Sequence, residues 1–70
     1  MDADQRELIQ RLFAVATMIA SEAEEIAIRG QSPKLSARQY RQTARQLAKR
    51  VEDLTAVART VQAVIDLALK

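Results

Sequence analysis

A heptad repeat of apolar residues runs through the second half of the chain and limits that half to one long amphipathic helix. Residues 37 to 70 contain no glycine or proline, and ten positions spaced alternately three and four apart are all apolar. Positions with this spacing fall on one side of an α-helix. They are Ala37, Tyr40, Ala44, Leu47, Val51, Leu54, Ala58, Val61, Ile65 and Ala68.

The first part of the chain carries the same spacing over a shorter length. Asp4, with Glu7 three residues later, fits a capping box at a helix start. Gly30 is expected to take the left-handed conformation with which many helices end. The pattern predicts a first helix over about residues 4–29, with a seam made of Ile9, Leu12, Ala16, Ile19, Ala23 and Ile26.

Three signals place the start of the second helix at the same residue. Ser36 is a favourable N-cap residue, Gln39 three residues later completes a capping box, and Leu35 and Tyr40 flank the start as a hydrophobic staple. A turn at residues 30–35 and a second helix over about residues 36–69 follow. Long helices joined by a short turn pack antiparallel. The predicted fold class is therefore all-α, with one domain over residues 1–70 that forms an antiparallel two-helix hairpin with a heptad seam.

The apolar stripes are wider than a contact between two helices can cover. A stripe of four heptad positions suits a bundle, whereas two positions suit a two-stranded coil. With the turn centred near residues 31–33, residues 61–70 should also project beyond the first helix. A homodimer that forms a four-helix bundle is the simplest cover, ahead of a hetero-complex, a higher oligomer or a membrane surface. Its expected interface, which could also serve a protein partner, comprises Phe13, Val57, Val61, Val64, Ile65, Ala68 and Leu69.

Charge is segregated along the chain. Residues 1–28 hold six acids and two bases, whereas residues 29–51 hold seven bases and no acid. Two interpretations of the basic segment stand side by side. Glu22, Glu24 and Glu25 should come level with about residues 38–41 and neutralise them, which would help to set the register. Alternatively, helical spacing makes a basic strip that contacts nucleic-acid phosphates, and its residues are Arg38, Arg41, Arg45 and Lys49.

The residue types argue against catalysis. The chain has no histidine and no cysteine, and its only glycine is a predicted helix stop, so it offers no phosphate loop. Seam positions are apolar throughout. We therefore expect no enzyme activity, no catalytic or metal site, no cofactor and no small-molecule substrate. Acids before residue 12 argue against a secretion signal, and no run is apolar enough to span a membrane, so a cytoplasmic location is expected. The predicted function is an interaction or assembly module; the alternative is a small nucleic-acid-binding regulator that uses the basic strip.

Overall fold

A computed structural model describes all 70 residues as two α-helices joined by one connection. Helix α1 spans Ala3–Arg29 and helix α2 spans Ala37–Ala68. The two helices pack against each other as a hairpin, which confirms the predicted all-α fold. Their bounds lie within one residue of the bounds predicted from the sequence.

Both helices begin at capping boxes, one of which was predicted correctly. At α2 the Gln39 amide N–H donates to the Ser36 hydroxyl at 3.1 Å, and the Ser36 N–H donates to the Gln39 side-chain oxygen at 2.8 Å. At α1 the prediction of Asp4 was wrong. Asp2 caps the helix and exchanges bonds of 2.8 and 3.0 Å with Gln5. Asp2 stands three residues before Gln5, just as Asp4 stands three residues before Glu7, so both pairs can form a capping box. The earlier cap makes α1 longer without losing any backbone hydrogen bond.

The predicted left-handed conformation of Gly30 was also wrong. Its φ of −67° and ψ of −12° are right-handed, and the chain has no residue with a positive φ. Backbone N–H groups of the connection donate hydrogen bonds to the free carbonyl groups at the end of α1. The Gln31 N–H donates to the carbonyl of Ile28 at 3.0 Å, and the Ser32 N–H donates to that of Arg29 at 3.3 Å. The helix end is therefore satisfied without a left-handed residue.

The register of the hairpin differs from the predicted one because the connection does not turn back at once. The Tyr40 hydroxyl donates to the carbonyl of Ser32 at 2.6 Å, which holds the connection beside the first turn of α2. Gly30 consequently lies level with Thr43: a Cβ atom built on this glycine would stand 3.4 Å from the Thr43 Cγ2. The first turns of α2 extend past the end of α1.

The shift removes the projecting end predicted for α2. Glu22 pairs with Arg50 across the helices at 3.3 Å. Because the helices are antiparallel, each residue before Glu22 on α1 lies level with one residue further after Arg50 on α2. Lys70 therefore comes level with Asp2. Val61 is buried. The prediction that residues 61–70 extend beyond the first helix was therefore wrong; they lie beside it.

The seam follows the prediction on α1 and only partly on α2. All six predicted seam residues of α1 are buried or half-buried. The ten heptad residues of α2 form two columns of five. In one column Leu47, Leu54, Val61 and Ala68 are covered. Its fifth member, Tyr40, is 41% exposed, so its prediction as a seam residue was wrong; it lies in the first turn of α2, which extends past the end of α1. The other column is wrong as a seam within the hairpin: only Ile65 is half-buried, and its other members are exposed, namely Ala37, Ala44, Val51 and Ala58. Their place against α1 is taken by Thr43, Arg50, Val57 and Val64.

The hairpin is a single layer with little interior. Only three of its 70 residues are buried, namely Ile9, Ile26 and Val61. The Cα atoms extend over 51 × 15 × 10 Å with a radius of gyration of 16.2 Å, against about 11 Å for a compact chain of this length. The accessible surface is 5638 Å², about 1,200 Å² above the roughly 4,400 Å² expected for a folded monomer of this mass. One copy therefore leaves nearly all of its apolar residues at least partly exposed to water.

Candidate interaction surfaces

One side of the hairpin carries two uncharged grooves, one toward the chain termini and one toward the connection. Each has a volume of about 320 Å³. The first is lined by Phe13, Ala16, Val57, Ala58, Val61, Gln62 and Ile65. The second is lined by Ile26, Ala27, Gly30, Gln31, Tyr40, Thr43, Ala44 and Leu47.

Val51 connects the two grooves. It lies seven residues from Ala44 in one groove and seven from Ala58 in the other, so all three share one side of α2. Val51 is 51% exposed and Phe13 is 56% exposed. We call this surface the apolar face and define it by Phe13, Tyr40, Ala44, Val51, Ala58 and Ile65. Its members on α2 belong to the heptad that the sequence predicted, and all of them except the half-buried Ile65 are exposed.

The structure divides the predicted interface residues into two groups. Five of them lie against α1 and are buried or half-buried within the hairpin, namely Val57, Val61, Val64, Ile65 and Ala68. The other two are exposed: Phe13 lies on the apolar face, and Leu69 is 72% exposed just beyond the end of α2. Sequence reasoning placed Ala44, Val51 and Ala58 inside the hairpin and so did not count them as interface residues.

The predicted neutralisation of the basic strip does not occur. Glu22 lies beside Arg50, outside the strip, because of the shifted register. No ion pair is formed by the strip residues Arg38, Arg41 and Arg45, and none by Glu24 or Glu25. Of the four strip residues, only Lys49 is paired, through a 2.8 Å contact with Asp53.

A basic groove of about 520 Å³ runs between the helices near the connection. Sequence reasoning named its Arg29 and Arg50 as basic residues but did not join them to the strip, because only the register shows that α1 contributes to the same surface. The groove is lined by Ile26, Arg29, Gln42, Arg45, Gln46, Lys49 and Arg50. A smaller groove of about 270 Å³ continues it along α2 and is lined by Arg38, Arg41, Gln42 and Arg45.

Two carboxylates stand at one side of the basic groove. Asp53 accepts a hydrogen bond from Lys49 at 2.8 Å and one from Arg50 at 3.2 Å. The hydrogen bond from Lys49 lowers the pKa of Asp53, and the nearby charge of Arg50 adds to this effect. In return, the hydrogen bond and the charge of Asp53 raise the pKa of Lys49. Glu22 and Asp53 therefore offset part of the charge of Lys49 and Arg50, while Arg29 and Arg45 form no ion pair.

Tyr40 lies where the connection meets the apolar face. Its hydroxyl group donates a hydrogen bond to the backbone carbonyl of Ser32, and the residue lines the second apolar groove. No group of three His, Cys, Asp or Glu side chains is arranged to hold a metal ion. Neither helix has a stretch long and apolar enough to cross a membrane.

Comparisons with known proteins give this chain no relative. No protein-family model matches it, and no match was found among curated proteins or solved structures. Inference about its function therefore depends on the shape and charge of the chain itself.

Proposed function

We propose that this chain is a non-enzymatic interaction module that forms a homodimeric four-helix bundle, in which two hairpins pack apolar face against apolar face. The observation that carries the proposal is the open column of the heptad repeat, Ala44, Val51 and Ala58, in a hairpin with only three buried residues. Helical domains are stable when their apolar stripes are covered by a second layer. A second hairpin supplies that layer.

The size of the face suits a dimer interface. The broad side of the whole hairpin measures 51 by 15 Å between Cα atoms, or about 770 Å², so a face along its length is of the order of the roughly 800 Å² that each partner contributes to a stable protein interface. The single hairpin also exposes about 1,200 Å² more than the roughly 4,400 Å² expected for a folded monomer of its mass. Covering the face would therefore bring the exposed area per chain toward that of an ordinary folded protein.

A second copy suits the face better than a charged partner would. No charged side chain lines either apolar groove, so the face offers nothing that would select an acidic or a basic surface. An uncharged, elongated face is complementary to itself, and closed two-fold assemblies are the commonest oligomers. Of the predicted interface residues, Phe13, Val57, Val61 and Ile65 line the first apolar groove and would be covered by the second copy. Val64, Ala68 and Leu69 line neither apolar groove.

Sedimentation equilibrium tests the dimer. At roughly 100 µM chain, where dimers with micromolar dissociation constants are formed, we expect twice the chain mass of 7.8 kDa. A single-chain mass at that concentration would refute the homodimer. A mass well above two chains would point instead to a higher oligomer.

The outer surface of such a dimer still presents apolar residues to a protein partner. Met18, Ile28 and Leu67 are all exposed and line neither apolar groove. If they bind a partner, replacing Met18 and Leu67 with lysine should abolish a protein interaction of the wild type while the dimer mass stays unchanged. A partner that binds this variant equally well would exclude these residues as its site.

A second candidate function, nucleic-acid binding by the basic strip, is supported by the absence of ion pairs at Arg38, Arg41 and Arg45. Exposed arginine side chains without carboxylate partners are available to phosphate oxygens. A mobility-shift assay with generic DNA and RNA at about 50 mM salt tests this function, since phosphate contacts are strongest at low salt. Failure to bind either polymer there would remove it.

A further inference from the structure

The basic surface is built by both helices. Arg29 at the end of α1 lines the same groove as Arg45, Lys49 and Arg50 of α2. Gln42 and Gln46 add amide groups between them. A strip on one helix could bind a polyanion along a line, whereas this groove can receive it between the row of donors on α2 and Arg29 on α1. We infer that the groove binds the phosphate backbone of a double-stranded nucleic acid, an inference that rests on the second candidate function.

Charge and length favour a nucleic-acid backbone. The groove and its continuation carry five arginines and one lysine, and only the pairs with Glu22 and Asp53 offset them. Arginine binds phosphate through two parallel hydrogen bonds, unlike lysine. The twelve-residue step from residue 38 to residue 50 spans about 18 Å of helix, which equals about five base-pair steps of 3.4 Å along the duplex axis.

The composition of the groove favours a duplex over single strands and membranes. Unpaired bases bind by stacking on aromatic rings, and no aromatic residue lines the basic groove. Tyr40 lines an apolar groove instead and is held by its bond to Ser32. Peripheral membrane binding requires apolar side chains beside the arginine and lysine residues. The only apolar residue that lines the basic groove is Ile26, which is buried. A duplex keeps its bases stacked inside and its phosphates outside, so it can be bound by Arg, Lys and Gln side chains without an aromatic ring.

The groove remains open in the proposed dimer. The residues of the apolar face line neither part of the basic groove. Dimerisation would therefore leave the basic groove exposed and supply it twice per assembly. Dimer formation and duplex binding can thus fail independently of each other.

Fluorescence anisotropy with the full chain and generic 20-bp DNA and RNA duplexes tests the inference, with Arg29→Gln as the central variant and Arg59→Gln as its control. Both variants remove one positive charge, but Arg59 is an exposed residue of α2 that lines none of the grooves. At about 50 mM salt we expect Arg29→Gln to weaken duplex binding about tenfold and to reduce the slope of log affinity against log salt by about 0.9. Arg59→Gln should stay within about twofold of the wild type. The DNA and RNA arms show which duplex is preferred.

Four results would overturn the inference. Equal effects of Arg29→Gln and Arg59→Gln, with a loss of binding in Arg38→Gln, would confine binding to the strip on α2 and leave the second candidate function intact. Absence of binding to both duplexes would refute duplex binding by the groove. Absence of binding to single strands as well would also refute nucleic-acid binding as the second candidate function. Tighter binding to a 20-nucleotide single strand than to either duplex would contradict the duplex assignment. Binding to vesicles with anionic phospholipid, but not to duplexes, would assign the groove to a membrane surface.

Discussion

Val51→Ala should weaken the dimer while leaving the hairpin itself intact. Val51 is 51% exposed in the single hairpin, and it lies midway between the two apolar grooves. The substitution removes two carbon atoms, worth about 0.8 kcal/mol each when fully buried. Because about half of this burial already exists in the single chain, dimerisation should lose about 0.8 kcal/mol per copy, or about 1.6 kcal/mol per dimer. The dissociation constant should therefore rise about 15-fold.

The opposite effect on the helix makes this variant informative. Alanine has a higher helix propensity than valine by several tenths of a kcal/mol, so a hairpin that folded alone would be unchanged or slightly stabilised. Ile28→Ala is the matched control, because Ile28 is 57% exposed and lies outside both apolar grooves. It gains the same kind of helix propensity without affecting the apolar face.

Sedimentation-velocity dilution series on the three proteins would measure the dissociation constants. We expect Val51→Ala to be about 15-fold weaker than the wild type and Ile28→Ala to be nearly equal to it. The reasoning would be refuted if Val51→Ala dimerised as tightly as the wild type, or if Ile28→Ala weakened the dimer as much as Val51→Ala did.

Three further substitutions test the local structure. Gly30→Ala should raise the free energy of unfolding in urea by about 0.5 kcal/mol, because Gly30 is right-handed and alanine restricts the unfolded chain; a loss of stability would point to a left-handed residue. Tyr40→Phe removes the 2.6 Å bond to Ser32 and should lower the free energy of unfolding by about 1 kcal/mol, whereas an unchanged value would show that this bond does not hold the connection. Asp53 has a lowered pKa in the folded chain, mainly through its bond from Lys49, so its stabilising effect is present above its ordinary pKa of 3.8 and is lost as the pH falls through the lower folded value. The wild type should lose more stability than Asp53→Asn when urea unfolding is compared at about pH 5 and pH 2, and parallel losses would exclude this ion pair as a source of the pH dependence.

Local signals in the sequence predicted the helices and the start of α2. The Ser36 cap could be predicted because its hydrogen-bond partner, Gln39, lies three residues away. The six seam residues of α1 could be predicted because their spacing alone places them on one side of the helix. Where two local solutions have the same spacing, the choice between them cannot be read from the pattern. Asp2 with Gln5 and Asp4 with Glu7 are such a pair, and the longer helix prevails.

The register could not be predicted because it depends on the path of the connection. A hydrogen bond over eight residues, from Tyr40 to Ser32, delays the return of the chain. That delay moves Glu22 from the basic strip to Arg50 and brings the end of α2 beside α1. Arg29 joins the strip in one groove for the same reason. A heptad pattern also cannot tell which of its columns faces α1 and which faces outward, and that choice leaves Val51 exposed.

Circular dichroism on dilution tests most directly whether one hairpin can fold with its apolar face exposed to water. From roughly 100 µM to 100 nM, mass action should dissociate a micromolar dimer, and we predict that the helix signal per residue falls with it. Sedimentation at the lowest measurable concentration should show the mass moving toward 7.8 kDa. Full helix content at about 100 nM, together with a single-chain mass, would contradict the account.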